Sequence, residues 1–184
     1  MTEVPELRTE RLLMRGFRYD DYERWAEVLR APAVGAGLGK PNGLTPHEAW
    51  LDMAVLTGHW MLRGFGHWAL EDVETGELLG RTGLYYPPDW PGLEVGWTVA
   101  QEHWGKGYAP EAARVACEWA HERFGTRHIL SLIHPDNRNS IRVAEKLGGK
   151  LEGEHSTRGF DLLVYGPDLP LSGSGSERAG TRRA

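Results

Sequence analysis

The chain has 184 residues, of which 40% are hydrophobic and 26% charged, a composition typical of one soluble globular domain. A net charge of −5 argues against non-specific nucleic-acid binding. No apolar run approaches the ~20 residues that a membrane-spanning helix needs, and the N-terminus lacks the features of a signal peptide. A single cysteine excludes an intrachain disulfide and a cysteine-based zinc site. We therefore expect a cytoplasmic protein that binds neither nucleic acid nor membrane.

The C-terminal segment, residues 171–184, consists mainly of Gly, Ser and Arg. Such a composition offers almost nothing to bury and predicts a flexible tail. We therefore expect a single domain over residues 1–170, and we expect removal of the tail to leave stability and activity nearly unchanged.

The first half of the chain predicts a strand and two helices. Residues 12–14 are apolar and favour a strand, and residues 20–23 resemble a capping box, with Asp at the cap and Glu three positions later. A loop rich in Gly and Pro is expected over residues 31–44. Residues 45–48 form a second capping box, which predicts a helix extending to about residue 62.

The second half alternates strands and helices. Residues 93–99 alternate apolar and polar side chains, as in a strand with one buried face. The other predicted elements are strands over 67–70 and 78–85, a helix with an apolar stripe over 112–124, a strand over 128–133, a helix over 137–147, and a closing hairpin of 151–156 with 160–165. This order, a hairpin meander followed by βαβ units, predicts an α/β fold with a mixed sheet and helices on both faces.

Residues 104–109, WGKGYA, connect a predicted strand to a predicted helix. Glycines let backbone N–H groups approach a ligand closely, and a helix N-terminus adds unpaired donors and a positive dipole end. The segment therefore predicts a phosphate or pyrophosphate site, to which Lys106 could add a charge. It matches neither a P-loop nor a complete G-x-G-x-x-G. An ordinary glycine-rich turn and a nucleotide-dependent phosphotransferase remain alternatives at this point.

At this segment the chain resembles the GNAT superfamily of N-acetyltransferases, and within it the RimJ/RimL-like branch. The family loop Q/R-x-x-G-x-G/A is matched by residues 104–109, with Gly107 as the central glycine and Trp in place of the usual first residue. Residues 7–15 resemble the opening strand of the branch, residues 94–97 its strand before the loop, and residues 134–148 its N-x-x-S-x-x-V-x-E-K-L-G helix. Together these segments cover nearly all of the predicted domain.

The resemblance implies a GNAT-like, mostly antiparallel central sheet and a reaction in which acetyl-CoA is the co-substrate. A primary amine, on a protein N-terminus or a small molecule, would attack the thioester directly, with no metal. Two departures stand out: Ala144 lies where many members have a tyrosine that protonates the thiolate, and Gly149 replaces a core phenylalanine. A non-catalytic acyl-CoA-binding sensor with the same fold is therefore the alternative function. The acceptor's identity and the oligomeric state, a homodimer included, are left open.

The resemblance also assigns candidate roles to individual residues. We expect Glu94 to be the general base, or else a solvated strand residue, and Ser140 to assist the leaving thiolate, or else to be an exposed serine. The residues expected to contact acetyl-CoA are Trp97, Thr98, Val99, Trp104, Gly105, Lys106, Gly107, Tyr108, Ala109 and Asn137, the last of which could equally be a helix N-cap. Trp60 and Trp90 are candidates for the acceptor pocket, and Cys117 for the core.

Overall fold

The computed structural model describes residues 3–157 and 159–167 and contains two sheets. The first is antiparallel, in the order β1-β2-β3-β4-β5, and the second is antiparallel in the order β6-β8-β7. The strands are β1 Leu7–Arg8, β2 Leu12–Arg15, β3 His67–Asp72, β4 Leu78–Tyr85, β5 Glu94–Val99, β6 Ser131–Ile133, β7 Gly149–Thr157 and β8 Phe160–Pro167. A parallel bridge between Glu94 and Leu130 joins the sheets, which confirms the mixed, mostly antiparallel architecture.

Helices cover both faces of the first sheet, as predicted. They are α1 Tyr22–Arg30, α2 Pro32–Gly37, α3 Pro46–Arg63, α4 Tyr108–Phe124 and α5 Arg138–Lys146. The small residues of α4, with Ala112 and Ala116 fully buried, allow that helix to pack closely on Trp68 and Val95. On the opposite face, Trp25 of α1 packs with residues of α3 and with the strands. Cys117 is buried in the α4 core, and burial raises the pKa of its thiol to about 12, which confirms its predicted packing role.

Capping explains one correct helix boundary and one wrong one. At α3, Thr45 Oγ1 accepts from Glu48 N at 3.3 Å and the Glu48 carboxylate accepts from Thr45 N at 2.9 Å, so the predicted capping box is confirmed. The predicted cap at Asp20 is wrong, because α1 begins after a short 3-10 turn and has no side-chain cap. Asp21 instead forms a buried ion pair with Arg15 at 2.7 Å.

The predicted loop over residues 31–44 contains the short helix α2. Ala31 is extended and Pro32 occupies the first turn, where its fixed φ favours a helix start and its missing N–H has no cost. The predicted end of the domain at residue 170 and the tail over 171–184 lie outside the described residues. Within the ranges that the structure describes, no helix combines the length and the apolar character that crossing a membrane requires.

Candidate active-site cleft

A cleft opens where strands β5 and β6 separate. Val95 N donates to Leu130 O at 2.8 Å and Leu130 N to Leu93 O at 2.9 Å, so the strands pair at their start. The carbonyl of Val95 then accepts from the Ser131 hydroxyl at 2.8 Å instead of from a strand N–H. Beyond this point the strands diverge, and the resulting cavity of about 570 Å³ extends between the α4–α5 side and the α2–α3 side of the fold.

The edge of β5 exposes backbone groups to this cleft. Val95 pairs towards β6, and alternate residues of a strand direct their N–H and C=O groups to the same side, so Trp97 and Val99 also point into the gap. Thr98 lies opposite Arg81 and directs its backbone towards β4. The Trp104 indole donates to Val99 O at 2.7 Å and occupies that carbonyl. Of the predicted strand contacts, Trp97 and the Val99 N–H therefore remain available to a ligand, and the Thr98 backbone does not.

The glycine loop presents a row of amide donors. Gly105 and Gly107 adopt φ values of +77° and +86°, which side-chain-bearing residues rarely reach, and Gly107 caps α4. In the described part of the chain, no acceptor bonds the backbone N–H groups of residues 105–109. Pro110 follows and has no N–H to satisfy. Five free amides at the N-terminus of a 17-residue helix suit an anionic group such as a pyrophosphate.

Arg11 holds this loop from the opposite side. Its Nη1 donates to Lys106 O at 2.9 Å, its Nε donates to the Glu111 carboxylate at 2.8 Å, and its guanidinium lies 4.4 Å from the Tyr108 ring centroid. The loop carbonyl thus points towards Arg11. Lys106 directs its Nζ towards His103 Nδ1, at 3.4 Å, and its side chain does not line the cleft. The contribution of the Lys106 charge stays a prediction, and its backbone N–H is available to a ligand.

The start of α5 forms the opposite wall of the cleft. Asn137 is the N-cap, and its Oδ1 accepts from Ser140 N at 3.1 Å, so the predicted capping role is confirmed. Its amide nitrogen, a donor, faces Gly37 of α2. Ser140 Oγ accepts from the Trp97 indole at 3.3 Å. A hydroxyl whose lone pair is occupied in this way keeps its proton available for donation.

Ala144 does not line the cleft. It is completely buried, with Ile133, Ile141 and Tyr165 as neighbours in a small core cluster. The Gly149 backbone turns closely beneath it, since a Cβ at Gly149 would lie 2.8 Å from Ala144 O. The position that many relatives use for a tyrosine therefore serves packing here. Ser140 does line the cleft, and its side chain offers a hydroxyl there.

Glu94 lies on the far side of β5 from α4, in a partly closed environment. Its Oε2 accepts from the Trp90 indole at 2.6 Å, and its Oε1 is 3.5 Å from Leu132 N. Burial raises the pKa of Glu94 to about 7, and the Trp90 and Leu132 hydrogen bonds and the Arg81 charge limit that rise. A carboxylate with this pKa exchanges protons near neutral pH. Trp90 lines the cleft, as predicted, whereas Trp60 is buried in the core and donates to a backbone carbonyl.

Three further side chains surround the same space and were missed in the sequence. Arg81 Nη1 donates to His67 Nδ1 at 2.9 Å and lies on β4, while Asp52 of α3 is 3.9 Å from Arg81 Nη2. Burial lowers the pKa of His67 well below its usual value, with Arg81 reinforcing the shift, so the imidazole is neutral. Of these three residues, only Arg81 stands out in the sequence, because it is a charged residue in a mostly apolar strand.

One group of metal-binding residue types occurs in the described ranges, and it consists of Glu77, Glu102 and His103. Arg24 bonds both carboxylates, at 2.8 Å and 2.5 Å. A cation at this position would have to displace the guanidinium, so the group is explained as an ion-pair network.

Comparison with known proteins agrees with this geometry. The sequence profile described as the acetyltransferase (GNAT) domain matches residues 11–150. A crystal structure of an acetyltransferase from Agrobacterium tumefaciens is 34% identical, covers 89% of this chain and 94% of its own, and superposes with a TM-score of 0.79. The uncharacterized N-acetyltransferase YjdG of Bacillus subtilis is 34% identical over 56% of this chain and 61% of its own length. The chain spans 51% and 61% of the first two curated relatives it matches.

A more distant neighbour shares the fold alone. RimL, a ribosomal L7/L12 alpha-N-protein acetyltransferase whose structure contains coenzyme A, is 15% identical, with a TM-score of 0.72 over 90% of this chain and 98% of its own. The phosphotransferase alternative has no support in these matches. Because the profile match extends from β2 to β7 and includes the diverging strands and the glycine loop, the chain belongs to the GNAT acetyltransferase family.

Proposed function

We propose that the protein transfers an acetyl group from acetyl-CoA to a primary amine by direct attack on the thioester. The observation that carries this proposal is that one cleft contains both a loop of unpaired amides and a carboxylate with a pKa of about 7. The first suits a pyrophosphate and the second suits a base for an amine. A single cysteine that is buried fits a reducing compartment, and we place the reaction in the cytoplasm.

The cofactor half of the cleft fits an extended pantetheine carrier. The amides of residues 105–109 would hold the pyrophosphate, and the free backbone edge at Trp97 and Val99 would pair with the pantetheine amides as an additional strand would. The Asn137 amide group is a further donor. Arg142 and Lys146 line the same wall, one turn apart on α5, and would add positive charge for the phosphates.

The reacting groups follow from the same geometry. Glu94 accepts a proton from the ammonium group of the acceptor, directly or through water, and frees the nitrogen lone pair. The nitrogen then attacks the thioester carbon, a C–N bond forms, and a backbone N–H on the β5 edge stabilises the oxyanion. As the C–S bond breaks, Ser140 donates its proton to the sulfur and regains one from solvent, and the nitrogen loses its second proton to solvent. The balance is one amide, one thiol and one released proton for each ammonium acceptor.

A screen of amines with acetyl-CoA, following free-thiol release and confirming the acetylated product by mass spectrometry, tests the proposal. Small amines and peptide N-termini belong in the same screen, since both acceptor classes are compatible with direct attack. We expect thiol release that depends on the amine. Binding of acetyl-CoA without transfer to any amine would instead support the non-catalytic acyl-CoA sensor.

A further inference from the structure

Two buried polar atoms lie side by side in the acceptor half of the cleft without a hydrogen-bond partner. Within the described residues, neither Arg81 Nε nor Thr98 Oγ1 has one. The two residues are directly opposite each other on β4 and β5, and opposed residues of an antiparallel pair project from the same face. Both residues line the cleft. A buried polar group without a partner is unfavourable, so this pair requires an explanation.

The charge of Arg81 is also poorly compensated. Its side chain is only 11% exposed, and among the residues that the structure describes the one carboxylate within 4 Å, that of Asp52, lies at 3.9 Å, beyond hydrogen-bond length. Asp52 is already an acceptor for the Trp25 indole at 3.0 Å. Arg81 also contacts His67, which is neutral, and its guanidinium lies 6.0 Å from the centroid of the Trp25 ring. A buried guanidinium without a close counter-charge favours the binding of an anion.

We propose that Arg81 and Thr98 bind the carboxylate of the acceptor, and that the acceptor is therefore a free α-amino acid. This inference rests on the acetyl transfer proposed above and names its substrate class. One carboxylate oxygen would accept from Arg81 Nε–H and the other from the Thr98 hydroxyl. The acceptor would then neutralise the guanidinium and satisfy both orphaned atoms at once.

The spacing along β5 suits such a short zwitterion. Glu94, Gly96 and Thr98 share one face, and alternate strand residues are about 6.6 Å apart. Glu94 Oε1 lies 3.8 Å, and His67 Cε1 3.2 Å, from the position that a Cβ at Gly96 would take. The missing side chain at Gly96 thus accommodates the His67 ring, which packs over this glycine and lines the cleft. An α-amino group would lie on the cleft side of this ring, between Glu94 and the carboxylate anchor.

The remaining lining of this half favours an aliphatic amino acid side chain. Val34 and Leu38 come from the α2 segment and Val55 and Leu56 from α3, and all four line the cleft. A peptide N-terminus offers the same amine, but it has a neutral amide where the free amino acid has its carboxylate. The Arg81 guanidinium would therefore favour the free amino acid over the peptide, because the peptide's neutral amide would leave the guanidinium charge buried and unpaired.

A matched set of acceptors tests the inference without any mutation. The common amino acids are screened individually, and the best is compared with its carboxamide, its decarboxylated amine and a dipeptide that begins with it. For leucine these are leucinamide, 3-methylbutylamine and leucylglycine. We expect kcat/KM for the free acid to exceed that of each analogue by roughly 10²-fold or more. Equal rates for the acid and the carboxamide, or a preference for the dipeptide, would overturn the inference.

Variants link the preference to the two side chains. Arg81→Met and Thr98→Val should lower the ratio of kcat/KM for the free acid to kcat/KM for the carboxamide, by roughly 10²-fold and 10-fold. The ratio is the readout because loss of the Arg81 charge raises the pKa of Glu94 and so affects the turnover of both substrates alike. Arg24→Met is the matched control, because Arg24 does not line the cleft, and it should leave the selectivity unchanged. A uniform loss for both substrates in Arg81→Met and Thr98→Val would indicate a structural role and contradict the inference.

Binding separates this inference from the proposed function. Calorimetric titration of leucine into the protein saturated with CoA, with leucinamide as the comparison, requires no turnover. Leucine binding that Arg81→Met abolishes would support the carboxylate site even if no acetyl transfer occurred, in which case only the proposed reaction would fail. Absence of binding at millimolar leucine and at millimolar concentrations of the other common amino acids would overturn the site itself.

Discussion

The two halves of the cleft differ in what they offer a ligand. On the α4–α5 side, the groups that face the cleft are largely backbone amides, namely residues 105–109 and the edge of β5. On the α2–α3 side they are charged and polar side chains, with Glu94, His67 and Arg81 in close proximity. Binding at a backbone site depends on the conformation of the chain and tolerates side-chain substitution. Binding at a side-chain site depends on the identity and the protonation state of each residue. Substitutions at the two sites should therefore differ in their effects on cofactor affinity, turnover and pH dependence.

The largest effect is expected at the backbone site. Gly107→Val places a β-branched residue at a φ of +86°, which it strongly disfavours, and moves the amides that would hold the pyrophosphate. We expect acetyl-CoA affinity, measured by calorimetry, to fall by at least about 10²-fold. Gly125 ends the same helix at a φ of +67°, so Gly125→Val carries similar strain away from the cleft. An equal loss of affinity in both variants would show that strain alone explains the effect.

At the side-chain site, Glu94→Gln keeps the shape and the Trp90 hydrogen bond but removes the basicity. We expect turnover near pH 7 to fall roughly 10²-fold, the usual effect of losing a positioned base, with acetyl-CoA affinity unchanged. The wild-type rate should rise with pH to a plateau above about pH 7, because Glu94 must be ionised to accept a proton. The deficit of the variant should shrink at higher pH as free amine becomes available. A wild-type pH–rate profile in Glu94→Gln would exclude Glu94 as the base.

The same substitution should stabilise the fold at alkaline pH. Below about pH 4.5 the carboxyl is protonated in the folded and the unfolded chain, so it contributes no pH dependence there. Between about pH 4.5 and 7 only the folded chain retains the proton, and wild-type stability falls as pH rises. Glu94→Gln lacks this loss and should gain roughly 2–3 kcal/mol relative to wild type between pH 4 and pH 8. Denaturant unfolding at the two pH values measures the gain, and a pH-independent difference would contradict the raised pKa.

A smaller effect is expected at Ser140. Ser140→Ala removes the proposed proton donor while the Asn137 cap on its backbone N–H remains. We expect kcat to fall roughly 10-fold, with acetyl-CoA affinity changed less than about 2-fold. Ser156→Ala, on the exposed part of β7, is the control and should behave as wild type. If affinity rather than kcat falls, Ser140 binds the cofactor and another donor protonates the sulfur.

The smallest effect is expected at the contact behind the loop. Arg11→Lys keeps a positive charge near Glu111 but cannot reproduce the fork that also bonds Lys106 O. We expect acetyl-CoA affinity to fall roughly 3- to 10-fold with turnover at saturation unchanged. The measurement is the same calorimetric titration as for Gly107→Val. An unaltered affinity would mean that the glycines position the amides without help from Arg11.

The backbone half could be predicted from sequence because its signals are local. Gly105, Gly107 and Pro110 are closely spaced, and the Asn137 cap depends only on the residues that follow it, so the preferences of these residues hold in any fold. The order of strands and helices along the chain followed from hydrophobic periodicity and turn signals in the same way, and it led to the prediction of helices on both faces of the sheet. The predicted cap at Asp20 was wrong because a 3-10 turn over Tyr19–Asp21 precedes α1, and Asp21 of that turn pairs with Arg15, a contact that depends on tertiary structure.

The side-chain half could not be assembled in this way. Asp52, His67, Arg81 and Glu94 come from one helix and three strands, and only the register of the sheet brings them together. The orientation of the Lys106 carbonyl could not be predicted either, since Arg11, which is distant in sequence, bonds it. Glu94 was found only because the family resemblance marked its strand.

The hydrogen bonds that cross the ends of the fold have a practical consequence. The family profile matches residues 11–150, yet Thr9 bonds Glu111 behind the glycine loop, and the Trp68 indole donates to Pro5 O at 2.8 Å. At the other end, β8 lies between β6 and β7 and is hydrogen-bonded to both. A chain trimmed to the limits of similarity would lose the central strand of its second sheet and part of the support for its loop. We therefore expect the cooperative folding unit to be longer, at both ends, than the segment that the family profile matches.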